Sequence, residues 1–242
     1  MRVNSIVLGA LILCIAASAS AQEYVEYTSQ QDRFGIVFPT QPKVSETTYK
    51  SEFDSMLPAR LYSADTGQSH FSVTVVDYTD IQKIATEKAK ACPKGAETCL
   101  GGLAPTSSTG AGYWKADLAG AVMNATWRLL QRDAKVTYVG WTNIDLVEGN
   151  MVSLTNNKDK SLTAAAIFMH ENKLYIVEGT VPAGYPVPDF FQQSVQWLDE
   201  SGTPIRYSTL YHNGFAKPPI NGRPGPAGGR GGGNAAGAGQ PR

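Results

Sequence analysis

The chain has 242 residues, 42% of them hydrophobic, and its 21 basic residues balance its 21 acidic ones. The body from Gln22 to His212 keeps 16 of the basic residues and all 21 acidic ones, so it is mildly acidic. Nucleic-acid binding depends on Lys and Arg side chains that neutralise phosphates. This charge balance therefore argues against a nucleic-acid partner.

The first 21 residues are typical of a secretory signal peptide. Arg2 precedes an apolar run from Ile6 to Ala17, and Ala19-Ser20-Ala21 has the small residues of a cleavage site. The run is too short to span a hydrocarbon layer of about 30 Å, and no later stretch of about 20 apolar residues follows. We therefore expect a periplasmic or secreted mature chain that begins near Gln22 and has no transmembrane segment.

The first half of the body predicts consecutive strands. Residues 33–38 alternate, so that one face of the strand carries Phe34, Ile36 and Phe38, and Pro39 ends it. In the strand over 69–78, one face carries Phe71, Val73 and Val75. Strands joined by tight turns indicate an antiparallel meander. The other strands predicted here cover 44–53 and 59–64.

The middle of the chain predicts two helices separated by a loop. Thr79-Asp80 caps a helix from Ile81 to Cys92, and residues 95–112 form a Gly-rich loop. A second helix is predicted over Asp117–Gln131. Its apolar side carries Leu118, Ala121, Val122, Ala125 and Leu129.

The last part of the body predicts strands and a final helix. A strand covers 135–147, another covers 151–155, and Glu171-Asn172 joins the hairpin strands 161–169 and 173–181. Pro186-Val187-Pro188-Asp189 begins a last helix. That helix is expected to lie on the sheet through Phe191, Val195 and Leu198.

Residues 213–242 differ in composition from the body. They are mostly Gly, Pro, Ala, Asn and Arg, and they hold Lys217, Arg223, Arg230 and Arg242 without an acidic residue. Such a segment buries too little apolar surface to offset the entropy of ordering it. We predict a disordered tail from Asn213, and we interpret the single RGG-like unit around Arg230 as part of that tail.

Two cysteines remain once a signal peptide containing Cys14 is removed. Cys92 and Cys99 flank a short loop, and an even number of cysteines in an exported protein favours a disulfide. A redox site would favour C-x-x-C spacing, and a zinc site would need further ligands nearby. We therefore predict a Cys92–Cys99 disulfide.

Two stretches carry recognisable motifs. Residues 33–42 combine an F-x-x-x-F strand with a following Pro, and the strand 173–179 precedes Phe190-Phe191-Gln192-Gln193-Ser194-Val195. Together they resemble the PsbP-like and Mog1-like superfamily, which includes uncharacterised exported bacterial proteins. The resemblance implies one α+β domain over 22–212, with a central antiparallel sheet flanked by helices. It also implies an accessory or adaptor role, and its matching positions are structural.

An aromatic set offers a possible ligand or partner groove. Tyr and Trp combine a large contact area with a polar group, which suits recognition, but the same residues also suit a core or a sheet face. Core packing needs no ligand and is the preferred interpretation. The set consists of Tyr113, Trp114, Trp127, Tyr138 and Trp141.

The three histidines do not form a metal-binding pattern. His70 lies in a strand, His170 precedes a hairpin turn and His212 precedes the tail. We predict no catalytic residue, cofactor or metal, and we expect a non-catalytic binding or accessory module of the cell envelope. Its partner would be an envelope protein or a small ligand. The alternative is a hydrolase or metal-dependent enzyme that uses His70 or His170 with carboxylates such as Asp77 and Glu178.

Overall fold

The computed structural model describes residues 24–90, 114–214 and 217–220. The expected signal peptide, the Cys92–Cys99 loop, Tyr113 and most of the tail lie outside these residues. The described part is mostly β-sheet, with eleven strands and three helices. In chain order, the strands are β1 (Val25–Ser29), β2 (Phe34–Phe38), β3 (Lys43–Lys50), β4 (Met56–Thr66), β5 (Ser69–Asp77), β6 (Ala134–Ile144), β7 (Val147–Asn156), β8 (Leu162–His170), β9 (Lys173–Val181), β10 (Gln196–Leu198) and β11 (Pro204–Ile205). The helices are α1 (Ile81–Lys90), α2 (Trp114–Leu130) and α3 (Asp189–Gln193).

The strands form two antiparallel sheets. The larger has seven strands in the order β3-β4-β5-β9-β8-β7-β6, and the smaller has four in the order β1-β2-β10-β11. Tight hairpins join β4 to β5, β6 to β7 and β8 to β9. The predicted antiparallel meander is confirmed in the larger sheet, where β6 and β3 are the two edge strands.

Two hydrophobic cores lie on opposite faces of the larger sheet. Phe34, Ile36 and Phe38 of β2 pack with Phe71 and other residues of the larger sheet in the core between the sheets. The second core lies beneath α1 and α2 and contains the apolar side of α2. The helix residues buried there include Ala121, Ala125 and Leu129. The alternation predicted for β2 and β5 and the apolar side predicted for α2 are therefore confirmed.

The predicted fold class holds only in part. The sheet is antiparallel, as expected, but α1 and α2 cover one of its faces, whereas the small sheet and the short α3 cover the other. Trp197 of β10 pairs with Phe34 of β2 in that small sheet. The predicted final helix accounts for this difference: α3 ends at Gln193, and Leu198 lies in strand β10. The spacing of Phe191, Val195 and Leu198 predicts one helix, but this segment forms a short helix followed by a strand.

One hairpin was absent from the sequence prediction. The single strand expected over 135–147 is β6, a two-residue turn and the start of β7. Asp145 and Leu146 form the turn with φ angles of 48° and 67°. Turns with positive φ at both positions are usually marked by Gly or Asn. Leu146 gives no such signal.

The contacts of the domain continue past the boundary predicted at His212. The backbone N–H of Ser208 donates to the carbonyl oxygen of Pro219 over 2.7 Å, and Ile220 packs against the core between the sheets. Lys217 forms an ion pair with Glu171. Lys217 and Ile220, which follow the predicted boundary, therefore find partners on the domain.

Truncation after His212 is expected to lower the free energy of unfolding by about 1–2 kcal/mol, the order of burying one aliphatic side chain. Truncation after Ile220 keeps the contacts of Lys217 and Ile220 and is the matched control. Urea unfolding of both chains measures the difference. Equal stability of the two truncated chains would contradict the expectation.

Candidate ligand-binding groove

The predicted aromatic set does not form one surface. Trp114 is half-buried and packs against the core beneath α2, whereas Trp127, Tyr138 and Trp141 are 58%, 50% and 57% exposed. Trp141 is paired with Asn150, whose side chain donates to Thr126 of α2, so Trp141 faces the helices. Tyr138 lies three residues earlier in the strand and therefore faces the opposite side.

Trp141 borders a groove between α2 and the end of the larger sheet. The groove, here called the Trp141 groove, has a volume of about 410 Å³. The groove forms because α2 packs on β7, β8 and β9 and does not extend over the edge strand β6. The apolar residues that line it are Leu118, Ala119, Val122, Met123, Trp141 and Met169.

Part of the lining of the Trp141 groove is polar. The indole Nε1 of Trp141 donates to Oε1 of Glu148 over 3.1 Å. The other carboxylate oxygen of Glu148 contacts Nδ1 of His212. Asn150 also lines the groove, and its Nδ2 donates to Thr126 over 3.0 Å. An apolar groove with a few fixed hydrogen-bonding groups in its lining can bind an apolar molecule and orient it by one polar group.

Sequence reasoning identified Trp141 but not the other residues of the groove. Leu118 and Val122 were assigned to the buried side of α2, and the neighbouring Ala119 and Met123 make the apolar surface of the helix wider than one stripe. That width is a sequence signal for a second contact surface. Glu148 and His212 carry no such signal, because 64 residues of chain separate them and only the tertiary structure brings them together.

The three histidines lie in separate environments. His70 contacts Asp65 over 2.7 Å on the surface, and His212 contacts Glu148. The carboxylates named for the enzymatic alternative have other partners: Asp77 accepts from Lys173, and Glu178 accepts from Arg132. Within residues 24–90, 114–214 and 217–220, no group of three or more His, Cys, Asp and Glu side chains could hold a metal ion.

His170 is fully buried, although it directly precedes a hairpin turn. Its Nε2 and the hydroxyl of Tyr207 share a hydrogen bond of 2.8 Å, and its ring lies 4.9 Å from those of Trp197 and Tyr211. Burial lowers the pKa of His170 to about 4, since the charged form would lose its hydration. The residue is therefore neutral at neutral pH. The segment after β11 causes the burial, because it places both tyrosines over the strand end.

A buried ionic cluster joins the two sheets at Asp32. Both carboxylate oxygens of Asp32 accept from Arg60, and one also accepts from the hydroxyl of Tyr62 over 2.6 Å. Lys173 lies 3.3 Å away. Burial alone would raise the pKa of Asp32, but the hydrogen bonds from Arg60 and Tyr62 and the positive charges outweigh it and lower the pKa. Each of these groups is held by charged or hydrogen-bonding partners, which is typical of a structural cluster.

Models of known protein families and the sequences of curated proteins give no match to this chain. None of the described helices has the length and apolar composition that a membrane crossing needs. The Trp141 groove therefore stands as a candidate site on its geometry and its chemistry.

Proposed function

We propose that this chain is an exported, non-catalytic binding or accessory module of the cell envelope, and that the Trp141 groove is its ligand-binding site. The exposed position of Trp141 at the mouth of an apolar groove carries the proposal. Large exposed apolar residues that cluster beside a concave surface often mark a binding site. The export of the chain is supported by the charged, apolar and small-residue segments of residues 1–21.

The lining of the groove favours a small ligand with an apolar body and one hydrogen-bonding group. Leu118, Val122 and Met123 would contact the body, and Met side chains adapt to differently shaped partners. The polar group would meet Glu148 or His212. An apolar side chain of an envelope protein would fit the same groove. The proposed partner is therefore either a small ligand or an envelope protein.

Membership of the PsbP-like and Mog1-like superfamily remains part of the proposal. The strand β9 followed by the short helix α3 supports it, and so does the early strand β2. The small second sheet and the short α3 depart from a single sheet with flanking helices. An accessory role without catalysis is what the resemblance would imply, and none of the groove residues is carried over from the family.

Two simple probes, indole and hexan-1-ol, test the groove in solution. Heteronuclear NMR titration of the mature chain should give saturable shifts of the backbone amides of Val122, Met123 and Asn150. Trp141→Ala should weaken probe binding at least tenfold, because it removes the aromatic wall of the groove. Trp127→Ala is the matched control, since Trp127 is equally exposed but lies outside the groove.

Trp127→Ala is expected to leave the binding of both probes unchanged. The proposal fails if neither probe gives saturable shifts at the groove, or if both Trp variants weaken binding equally. A melting curve of Trp141→Ala close to that of wild type would confirm that the loss is one of binding.

A further inference from the structure

The two edges of the larger sheet differ in charge. The edge strand β3 carries Lys43, Glu46 and Lys50 on an exposed surface, which is a common way of preventing edge-to-edge pairing. The opposite edge strand, β6, has eleven residues and no charged side chain after Lys135. In the described part of the chain, β7 is the one strand that pairs with β6.

Most of the exposed side chains of β6 are apolar and strongly β-forming. Val136, Val139 and Trp141 lie on the helix-covered face, opposite residues of β7, and Tyr138 lies on the other face. A long edge strand of this composition is a template for another strand, because its outward N–H and C=O groups are available for a ladder. The bulge between Val136 and Tyr138 leaves most of the strand regular.

The charges at the two ends of β6 favour a second copy as the incoming strand. Lys135 lies at the start of β6, and Asp145 lies immediately after its end, with Gly140 midway between them. In an antiparallel pair of two β6 strands centred near Gly140, Lys135 of each copy falls close to Asp145 of the other. Because each strand has one extra residue in the bulge between Val136 and Tyr138, the two Lys135 side chains are then about 26 Å apart, well beyond the screening length of physiological salt.

We propose that β6 pairs antiparallel with β6 of a second copy of this chain, which joins the two larger sheets in a two-fold symmetric dimer. The same surface patch is used by both copies, so the assembly closes at two. Val139 and Trp141 of one strand meet the same residues of the other on the helix-covered face, where aromatic and β-branched pairs stabilise a sheet. Trp141 also borders the Trp141 groove, so the pairing would place the groove of each copy beside the interface.

Sedimentation velocity of the mature chain over a wide range of concentration tests the dimer. Wild type should sediment as a dimer in equilibrium with monomer, and Val139→Lys should raise the dissociation constant at least tenfold. Val44→Lys is the matched control, because Val44 and Val139 are 50% and 47% exposed on opposite edges of the same sheet. It should leave the dimer unchanged.

Hydrogen exchange gives a second, residue-level measurement. The outward amides of β6 should exchange more slowly as the wild-type concentration rises, whereas those of β3 should not respond. A wild-type chain that stays monomeric, or that grows beyond a dimer, would overturn the proposal. So would equal effects of Val139→Lys and Val44→Lys, or protection of β3 amides instead of β6 amides.

Discussion

Replacement of Asp32 by Asn is expected to lower the free energy of unfolding by about 3–5 kcal/mol, the range measured when one partner of a buried ion pair is removed. Asp32 is fully buried and accepts hydrogen bonds from Arg60 and Tyr62, with Lys173 close by. The variant leaves two cations near the junction of the sheets without their shared anion. Urea unfolding at neutral pH, followed by tryptophan fluorescence, measures the loss.

Asp65→Asn provides the control for this prediction. Asp65 contacts His70 at the surface, with a side chain that is mostly exposed, and surface pairs of this kind contribute little to stability. We expect its unfolding curve to overlay that of wild type. If Asp32→Asn were no more destabilising than Asp65→Asn, the cluster would not hold the sheets together.

Acidification is expected to destabilise the wild-type protein through His170 between pH 6.5 and about 4. The pKa of His170 falls from 6.5 to about 4 on folding, so the unfolded chain binds a proton first as the pH decreases. The contribution of the neutral His170 side chain to the free energy of unfolding is complete above pH 6.5 and declines as the pH falls towards 4. Each pH unit in this range lowers the free energy of unfolding by about 1.4 kcal/mol, so the loss approaches about 3 kcal/mol at pH 4.

The His170→Gln variant isolates this contribution from that of the carboxylates. Its free energy of unfolding should depend less steeply on pH between 6.5 and 4, whatever its stability at neutral pH. His70→Gln, at an exposed histidine, is the control variant. Parallel stability curves for wild type and His170→Gln would show that His170 is not held neutral. The lowered pKa of Asp32 acts at more acidic pH, below its ordinary value of 3.8.

Local patterns predicted much of the secondary structure. The alternation of Phe34, Ile36 and Phe38 assigns them to one face, and the turn at Glu171-Asn172 joins β8 and β9, as predicted. These features depend on neighbours within a few residues, because side-chain direction repeats every two residues in a strand. The failures occur where a local signal is weak, as at the Asp145-Leu146 turn.

The candidate site was far less predictable than the strands. The residue type predicts Trp141 correctly, but of the residues predicted with it, Tyr138 lies on the other face of the strand and Trp127 does not line the groove. Proximity in sequence does not give proximity in space when a strand presents two faces. Glu148 and His212 meet through a segment that crosses the end of the sheet, which no spacing rule could indicate.

The sequence by itself determined which residues alternate, where most strands and helices lie, and that a mildly acidic body precedes a Gly-rich end. The tertiary structure alone decided that β6 is an edge strand, that His170 is buried beside Tyr207 and Tyr211, and that a second sheet packs on the larger one. The physical reason is that the two kinds of feature depend on interactions over different distances along the chain. Alternation and capping act over a few residues, whereas strand order and burial depend on contacts between segments far apart in the chain.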